Sequence, residues 1–382
     1  MRVMFWDPLH KAYLGGGQVV SSLLFKKFTE FGIECIIASF GQKPQTIPLP
    51  QELIRLSYST HNLNLLSGIL ANSLRRYISL TDPDVIYVMS PLLVNALLNA
   101  VRRLPKQKRP ITVMDMGALE TDLSGFRKSL PLLQYGFLLG IHKYYYDLLS
   151  KFDFINSCSV TNKVFLIKYL GIPRERIFTI STNVVPDDWF LLNCKFTRSE
   201  ELTMFSPGRV ERVKGYPVLL EAVRLLVHKF GYNNIKIAII NNGKYLRKAI
   251  RFMKKYSLTK NFIVIERLKY NELRKLYLSS MIVPVLYMHA NVYSQVLCEG
   301  MATGNIVIAS DIGAFREIIR DGENGFLIKP DAPNLVAKRI HEIISNSVDR
   351  EKIQREAVVT AYENCRLSHQ ATLLINKLKE LL

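Results

Sequence analysis

The sequence predicts an α/β protein made of two Rossmann-like, doubly wound parallel-sheet domains that face a central cleft. Three observations carry this. The 382 residues exceed what a single core usually holds. Short apolar runs rich in β-branched residues alternate with longer helical stretches, the pattern of parallel sheets covered on both faces. Those runs fall into two series, parted by the polar stretch "NVVPDDWFLLNCKFTRSEE" (183–201), which contains Pro186.

The first series comprises "RVMFW" (2–6), "CIIASF" (35–40), "DVIYVMS" (84–90), "PITVMDM" (110–116), "FINSCSV" (154–160) and "RIFTIS" (176–181). The second comprises "LTMFSPG" (202–208), "IKIAIIN" (235–241), "NFIVIE" (261–266), "MIVPVLY" (281–287) and "NIVIAS" (305–310). Uninterrupted apolar character marks each as a strand buried on both sides. The expected division is an N-terminal domain over 1–185, a linker over 186–200, a second domain over 201–367 and a last helix over 368–382. Doubly wound sheets bind ligands beyond the carboxyl ends of their strands, so two joined by one linker would hold a ligand between them.

Composition narrows the partners. Hydrophobic residues make up 48% and charged residues 22%, both globular values. The net charge of +19 favours anionic partners: nucleic acid, acidic lipid or phosphorylated small molecules. A solvated basic surface is the plainer reading of the same charge. Nucleic acid is set aside, because it rests on charge alone and no known module or basic–aromatic platform is visible. The five cysteines are odd in number, far apart in sequence and without a CxxC pair. They argue for a reducing compartment and against a disulfide framework or a structural zinc site. The N-terminus "MRVMFWDPLH" lacks a signal-peptide core. The longest apolar stretch, 129–141, is too short to span a bilayer and is broken by Gln134. The expected location is cytoplasmic, with peripheral contact at the membrane left open.

Three stretches could carry chemistry. In "FSPGRVERVKGYPVLLEAV" (205–223) a strand ends, Gly208 turns the chain, and Arg209 and Lys214 precede a helix. Strand end, glycine, cations and helix N-terminus together suit a phosphate. Arg offers a planar fork and Lys a mobile point charge. A basic loop before an ordinary helix is the plainer alternative. In "HANVYSQVLCEGMATGNIVIASDIGAFREII" (289–318), Glu299 lies early on a helix. Its carboxylate suits the vicinal hydroxyls of a ribose, and free amides at Tyr293, Ser294 and Gln295 suit a phosphate. In "YLGGGQVVSSLLFKKF" (13–28), Gly15, Gly16 and Gly17 would allow a ligand close to the backbone. The G-x-G-x-x-G spacing of a dinucleotide fingerprint is not there.

Taken together these stretches resemble the retaining glycosyltransferases of family 4, which have the GT-B fold. "GRVERVKGYPVLLEA" is similar to that family's G-R-x-x-x-x-K-G-x-x-x-L-x-x-A. The region from Leu276 to Ile328 resembles its E-A-M-A-x-G-x-P-V, D-x-G-G-x-x-E and D-G-x-N-G, and "NVVPDDWF" its N-G-V-D-x-x-x-F. The resemblance implies a nucleotide-diphosphate sugar as donor substrate, with no cofactor and no metal. It implies that Arg209 and Lys214 hold the diphosphate, with Gly208 beside them, and that Glu299 binds the ribose. It implies that Gly15, Gly16 and Gly17 form a loop facing the donor, and that the last helix crosses back onto the first domain. The acceptor would be a glycan, a lipid-linked sugar or a lipid.

The sequence departs from the family pattern in four places. The first of two glutamates separated by seven intervening residues is Asn291, and the glycine three residues on is Ser294. No histidine follows the 110–116 strand, where Asp115 would take the place with opposite charge. Val184 replaces the interdomain glycine. The expected catalytic set is therefore Arg209, Lys214, Asn291 and Asp115, with capping of a turn as the alternative for Asp115. A non-catalytic binding or scaffold protein on the same fold and a nucleotide-sugar epimerase are the competing readings. The cation pair weighs against a scaffold. For acidic membrane, the candidate contacts are "LRRYISL" (74–80) and "VRRLPKQKR" (101–109), while "KYLRKAIRFMKK" (244–255) reads as a solvated helix face.

Overall fold

The computed structural model describes residues 1–8, 16–39, 64–90, 93–116, 146–192, 202–266, 268–288 and 294–382, with only the backbone at 16, 64–69 and 202. The described residues form two compact units. The residues before Asn183 make one together with Leu367–Leu382, and Asn183–Arg366 make the other.

The first unit carries a six-stranded sheet of β1 (Arg2–Trp6), β2 (Glu34–Ala38), β3 (Val85–Val88), β4 (Ile111–Asp115), β5 (Phe154–Asn156) and β6 (Ile177–Phe178), in the order β2-β1-β3-β4-β5-β6. Every described pairing is parallel, with Val3 opposite Cys35 on one side and Val85 on the other. The expected strand at 154–160 stops at Asn156, because Cys158 turns the chain at φ 61 and Ser159 caps the helix Val160–Leu170. Helices Asn64–Thr81 and Val94–Arg102 place Leu74, Ile78, Leu97 and Val101 in one core with Trp6, Ile86 and Met114. This alters the interfacial reading of 74–80. Leu74 and Ile78 point inward, and only Arg75, Arg76 and the residues beyond Ile78 are exposed. In 101–109, the Arg109 guanidinium donates to the carbonyls of Leu104 and Arg102 and closes a helix end.

The second unit carries β7 (Leu202–Ser206), β8 (Ile237–Ile240), β9 (Phe262–Ile265), β10 (Ser280–Val285), β11 (Ile306–Ser310) and β12 (Phe326–Ile328), all parallel, in the order β12-β11-β10-β7-β8-β9. Alternate residues face two cores. Met204, Ile237, Ile282 and Ile306 enter one, and Phe205, Ala238, Val283 and Val307 the other. Pro284 sits in a central strand, which its missing N–H normally forbids. It is tolerated past Ile282, the last residue of β10 paired with β7.

The chain order reverses between β7 and β10, which makes their carboxyl ends the switch point of this sheet. Helix Leu367–Glu380 belongs to the first unit and packs on helix Gly16–Glu30. Just before it, Cys365 accepts a backbone hydrogen bond from Val185 N at 2.8 Å. Cys298 and Cys365, far apart in sequence, meet with their sulfurs 2.8 Å apart in the core. No helix among the described residues is long and apolar enough to cross a membrane.

Candidate functional site

Two loops leave the switch point side by side: residues 207–215 after β7, and the segment from Leu286 after β10. Their backbones touch. Met288 N donates to Val213 O at 2.9 Å. Gly215, at φ 76, lies so close to Leu286 that a Cβ would fall 1.8 Å from the Leu286 carbonyl oxygen. A third loop braces the first from behind. Val210 N donates to Asn242 O at 2.6 Å, and Tyr245 N donates to Val210 O at 2.9 Å. Gly243 is again required, since a Cβ there would meet Val210 O at 2.3 Å. The cation-bearing loop is thus held on two sides through backbone alone.

That scaffold sets Lys214 and Gly208 together. A Cβ on Gly208 would stand 3.3 Å from Lys214 Nζ, so glycine keeps the ammonium uncovered on that side. Lys214 Nζ lies 5.5 Å from the Tyr287 ring centroid, a cation–π contact. Ser294 Oγ donates to the Tyr287 hydroxyl at 3.1 Å. Among the described residues Lys214 makes no ion pair, and it is partly exposed. Arg209 Nη1 stands 3.5 Å from Glu211 Oε1, with 41% of its side chain exposed. Helix Tyr216–His228 starts immediately after Gly215, with Pro217 in its first turn, so its positive dipole end follows this loop. The structure therefore gathers Gly208, Lys214, Tyr287 and Ser294, with Arg209 on the same short loop. Asn291 and Tyr293 lie outside the described residues, as does Gly15.

Glu299 is placed differently. It is 3% exposed, on helix Gln295–Ala302. Tyr277 donates its hydroxyl proton to Oε2 at 2.6 Å, and the Gln295 amide donates to Oε1 at 3.0 Å and to Val184 O at 2.8 Å. The Tyr270 ring stacks on Trp189, and its hydroxyl is buried beside the same carboxylate. Burial holds the Glu299 carboxyl above the usual carboxylate range, and the Tyr277 and Gln295 hydrogen bonds only partly offset it. The sign follows. Below the ordinary carboxylate range both folded and unfolded chains carry the proton. As pH rises out of that range the unfolded chain ionises first, so stability falls until the folded carboxyl ionises too. Glu299→Gln cannot ionise and is expected to flatten that fall. Urea midpoints across acid and neutral pH check it.

The remaining expected residues are also located. Gly16 and Gly17 lie in the first turn of helix Gly16–Glu30, not in a loop, and a Cβ on Gly17 would meet nothing within 4 Å. Asp115 is 1% exposed at the end of β4. Its Oδ2 accepts from Tyr87 and, at 3.3 Å, from Asn156, and its Oδ1 accepts from Thr182 at 3.2 Å and Cys158 at 3.4 Å. It is the hub of a buried polar network, and its two oxygens are already filled within its own unit. The expectation at this position was contact with a donor sugar or the capping of a turn, and the described contacts of Asp115 are those of this network.

With this geometry in view, residues 193–359 match the family Glycosyl transferases group 1. That match spans most of the second unit. A phosphatidyl-myo-inositol mannosyltransferase of Mycobacterium tuberculosis is 44% identical over 61 residues, which is 15% of this chain and 16% of that protein. The chain thus covers about a sixth of that relative. A glycosyltransferase from Rickettsia africae superposes with a TM-score of 0.74 at 19% identity, covering 99% of this chain and 98% of that one. Anabaena HepE, solved with UDP and glucose, superposes with a TM-score of 0.75 at 15% identity over 100% of both chains. The two six-stranded parallel sheets have the GT-B fold of these glycosyltransferase structures.

Several residues around the candidate site escaped the sequence reading. Tyr287 was part of a strand run, yet it ends outside β10 under Lys214. Tyr270 and Tyr277 are seven residues apart, two helical turns, so one face of helix Tyr270–Leu278 carries both toward Glu299. That spacing was visible in the sequence.

Proposed function

We propose that the chain is a metal-independent, retaining glycosyltransferase of family 4 that moves a hexosyl group from a nucleoside-diphosphate sugar to an acceptor hydroxyl. The observation that carries this reading is the rigid crevice at the β7–β10 switch point, with Lys214 uncovered beside Gly208 and a helix N-terminus adjoining. When the bond between sugar and diphosphate breaks, negative charge gathers on the leaving phosphate. Fixed cations and amides favour that state over the intact donor. Lys214 supplies a point charge and Arg209 a fork. The sugar passes through an oxocarbenium-like state. The acceptor oxygen then bonds to the face the phosphate leaves, and its proton goes to that phosphate, so no side-chain base is used.

In this reading Asn291 hydrogen-bonds the sugar without adding charge. Glu299 accepts from the ribose hydroxyls, and at 3% exposure it meets a ligand only if Tyr270 or Gln295 gives way. A solved neighbour holds UDP and glucose, which makes UDP-sugars the first donors to try. The mannosyltransferase relative points to lipid-borne inositol or sugar among the acceptors to try.

The test is incubation with a panel of UDP- and GDP-sugars, following release of nucleoside diphosphate with and without EDTA, and the anomeric configuration of the product by NMR. Release unaffected by EDTA with retained configuration is the expected result. Donor binding without any release would make the chain a binding protein on this fold, and conversion of the donor to another nucleotide sugar would make it an epimerase. Inversion of configuration would refute the retaining assignment.

A further inference from the structure

From Ala222 to Ile265, forty-four residues, the chain has ten Lys and Arg and no Asp or Glu. Six of these cations form one stripe: Lys244, Arg247, Lys248, Arg251, Lys254 and Lys255, on and just before helix Leu246–Lys255. At 100° per residue they fall within an arc of about 120°. All six are exposed, and none makes an ion pair among the described residues. Like charges three and four residues apart weaken a helix, so local stability does not account for the array. The opposite face is anchored. Ala249 and Met253 are buried, and Leu246, Phe252 and Tyr256 pack against the core. The crossover ends on β9, the edge strand, where Ile263 and Val264 are each 41% exposed.

We propose that this stripe is a docking surface for an anionic lipid bilayer. The array is convex and about 15 Å long at 1.5 Å per residue, suited to many mobile anionic headgroups lying in a plane. Each Lys or Arg near such a surface adds attraction that fades within a Debye length. Nucleic acid fits less well. The nearby aromatics Tyr245, Phe252 and Tyr256 are half-buried against the core, and the Tyr256 ring is already taken by Arg224 and Lys255, so they make a poor platform for stacked bases. The first unit's stretch at 74–80 offers less, since its Leu74 and Ile78 are buried. This surface is separate from the transferase reading, because vesicle binding requires no nucleotide.

The experiment is co-sedimentation of the full chain with vesicles of phosphatidylcholine alone and of phosphatidylcholine mixed with phosphatidylglycerol, at low and physiological salt. Binding to the mixed vesicles only, weakening with salt, is expected. Neutralising Lys248→Gln, Arg251→Gln and Lys255→Gln together lowers the partition coefficient on the order of 100-fold. The matched triple in the first unit, Arg102→Gln, Lys106→Gln and Lys108→Gln, changes it by less than about threefold. Circular dichroism confirms that both triples fold. Equal losses in the two triples, no loss in the first, or binding to poly(U) RNA in preference to the mixed vesicles would each overturn the proposal.

Discussion

Gly215→Ala should destabilise the second unit by about 4 kcal/mol or more, in the far tail of single substitutions. Two effects add. At φ 76 the backbone is left-handed, which by itself costs a residue with a Cβ about 1–2 kcal/mol. The new Cβ would also stand 1.8 Å from Leu286 O and 2.6 Å from Leu286 C. Those atoms are main chain and have no rotamer to escape into. Relief means separating the two loops, which breaks the Met288–Val213 hydrogen bond and moves Lys214 off Tyr287. Gly231→Ala is the internal control. Its φ is 77, nothing lies within 4 Å of its Cβ, and only the conformational part applies. Urea unfolding of both variants separates the terms. If they differ by less than about 1 kcal/mol, the close approach of the loops is wrong.

Arg209→Ala with Lys214→Ala should weaken nucleoside-diphosphate binding by roughly 10²–10⁴-fold. A hydrogen bond to a charged group contributes about 1.5–3 kcal/mol, and two are removed. Stability should barely change. The Arg209–Glu211 pair is partly exposed and worth at most about 1 kcal/mol, and among the described residues Lys214 has no ionic partner to abandon. Titration calorimetry with the diphosphate and with the bare nucleoside checks both halves of the argument. Affinity for the nucleoside should be unaltered, since it offers these cations nothing to hold. A loss of less than tenfold for the diphosphate would mean that the crevice serves something else.

Much of the fold was legible because buried parallel strands are written as apolar runs. All eleven runs contain strands, and their ends were the less accurate part. β12 was missed since Phe326–Ile328 is too short to stand out, and it exists because its partner β11 offers it an edge. Within the candidate site, Gly208, Arg209 and Lys214 were readable from the order of strand, turn, cation and helix. Gly215 was not singled out, although it fixes the loop, because its need for glycine comes from Leu286, seventy-one residues away in the sequence. The burial of Glu299 was equally hidden, since it depends on two other segments: the helix that carries Tyr270 and Tyr277, and the turn that carries Trp189. The surroundings of Asp115 were hidden for a related reason. A carboxylate at a strand end looks available until Tyr87, Asn156, Cys158 and Thr182 converge on it.

The return of helix Leu367–Glu380 to the first unit bears on any attempt to dissect the protein. A fragment cut after Thr182 would lack Ala371, Leu374, Ile375 and Leu378, and would expose the apolar flank of helix Gly16–Glu30 that they cover. Such a fragment is a candidate for aggregation, not an autonomous module. Supplying the terminal helix in trans, or splicing it behind residue 182 through a flexible tether, would be the way to recover a soluble half.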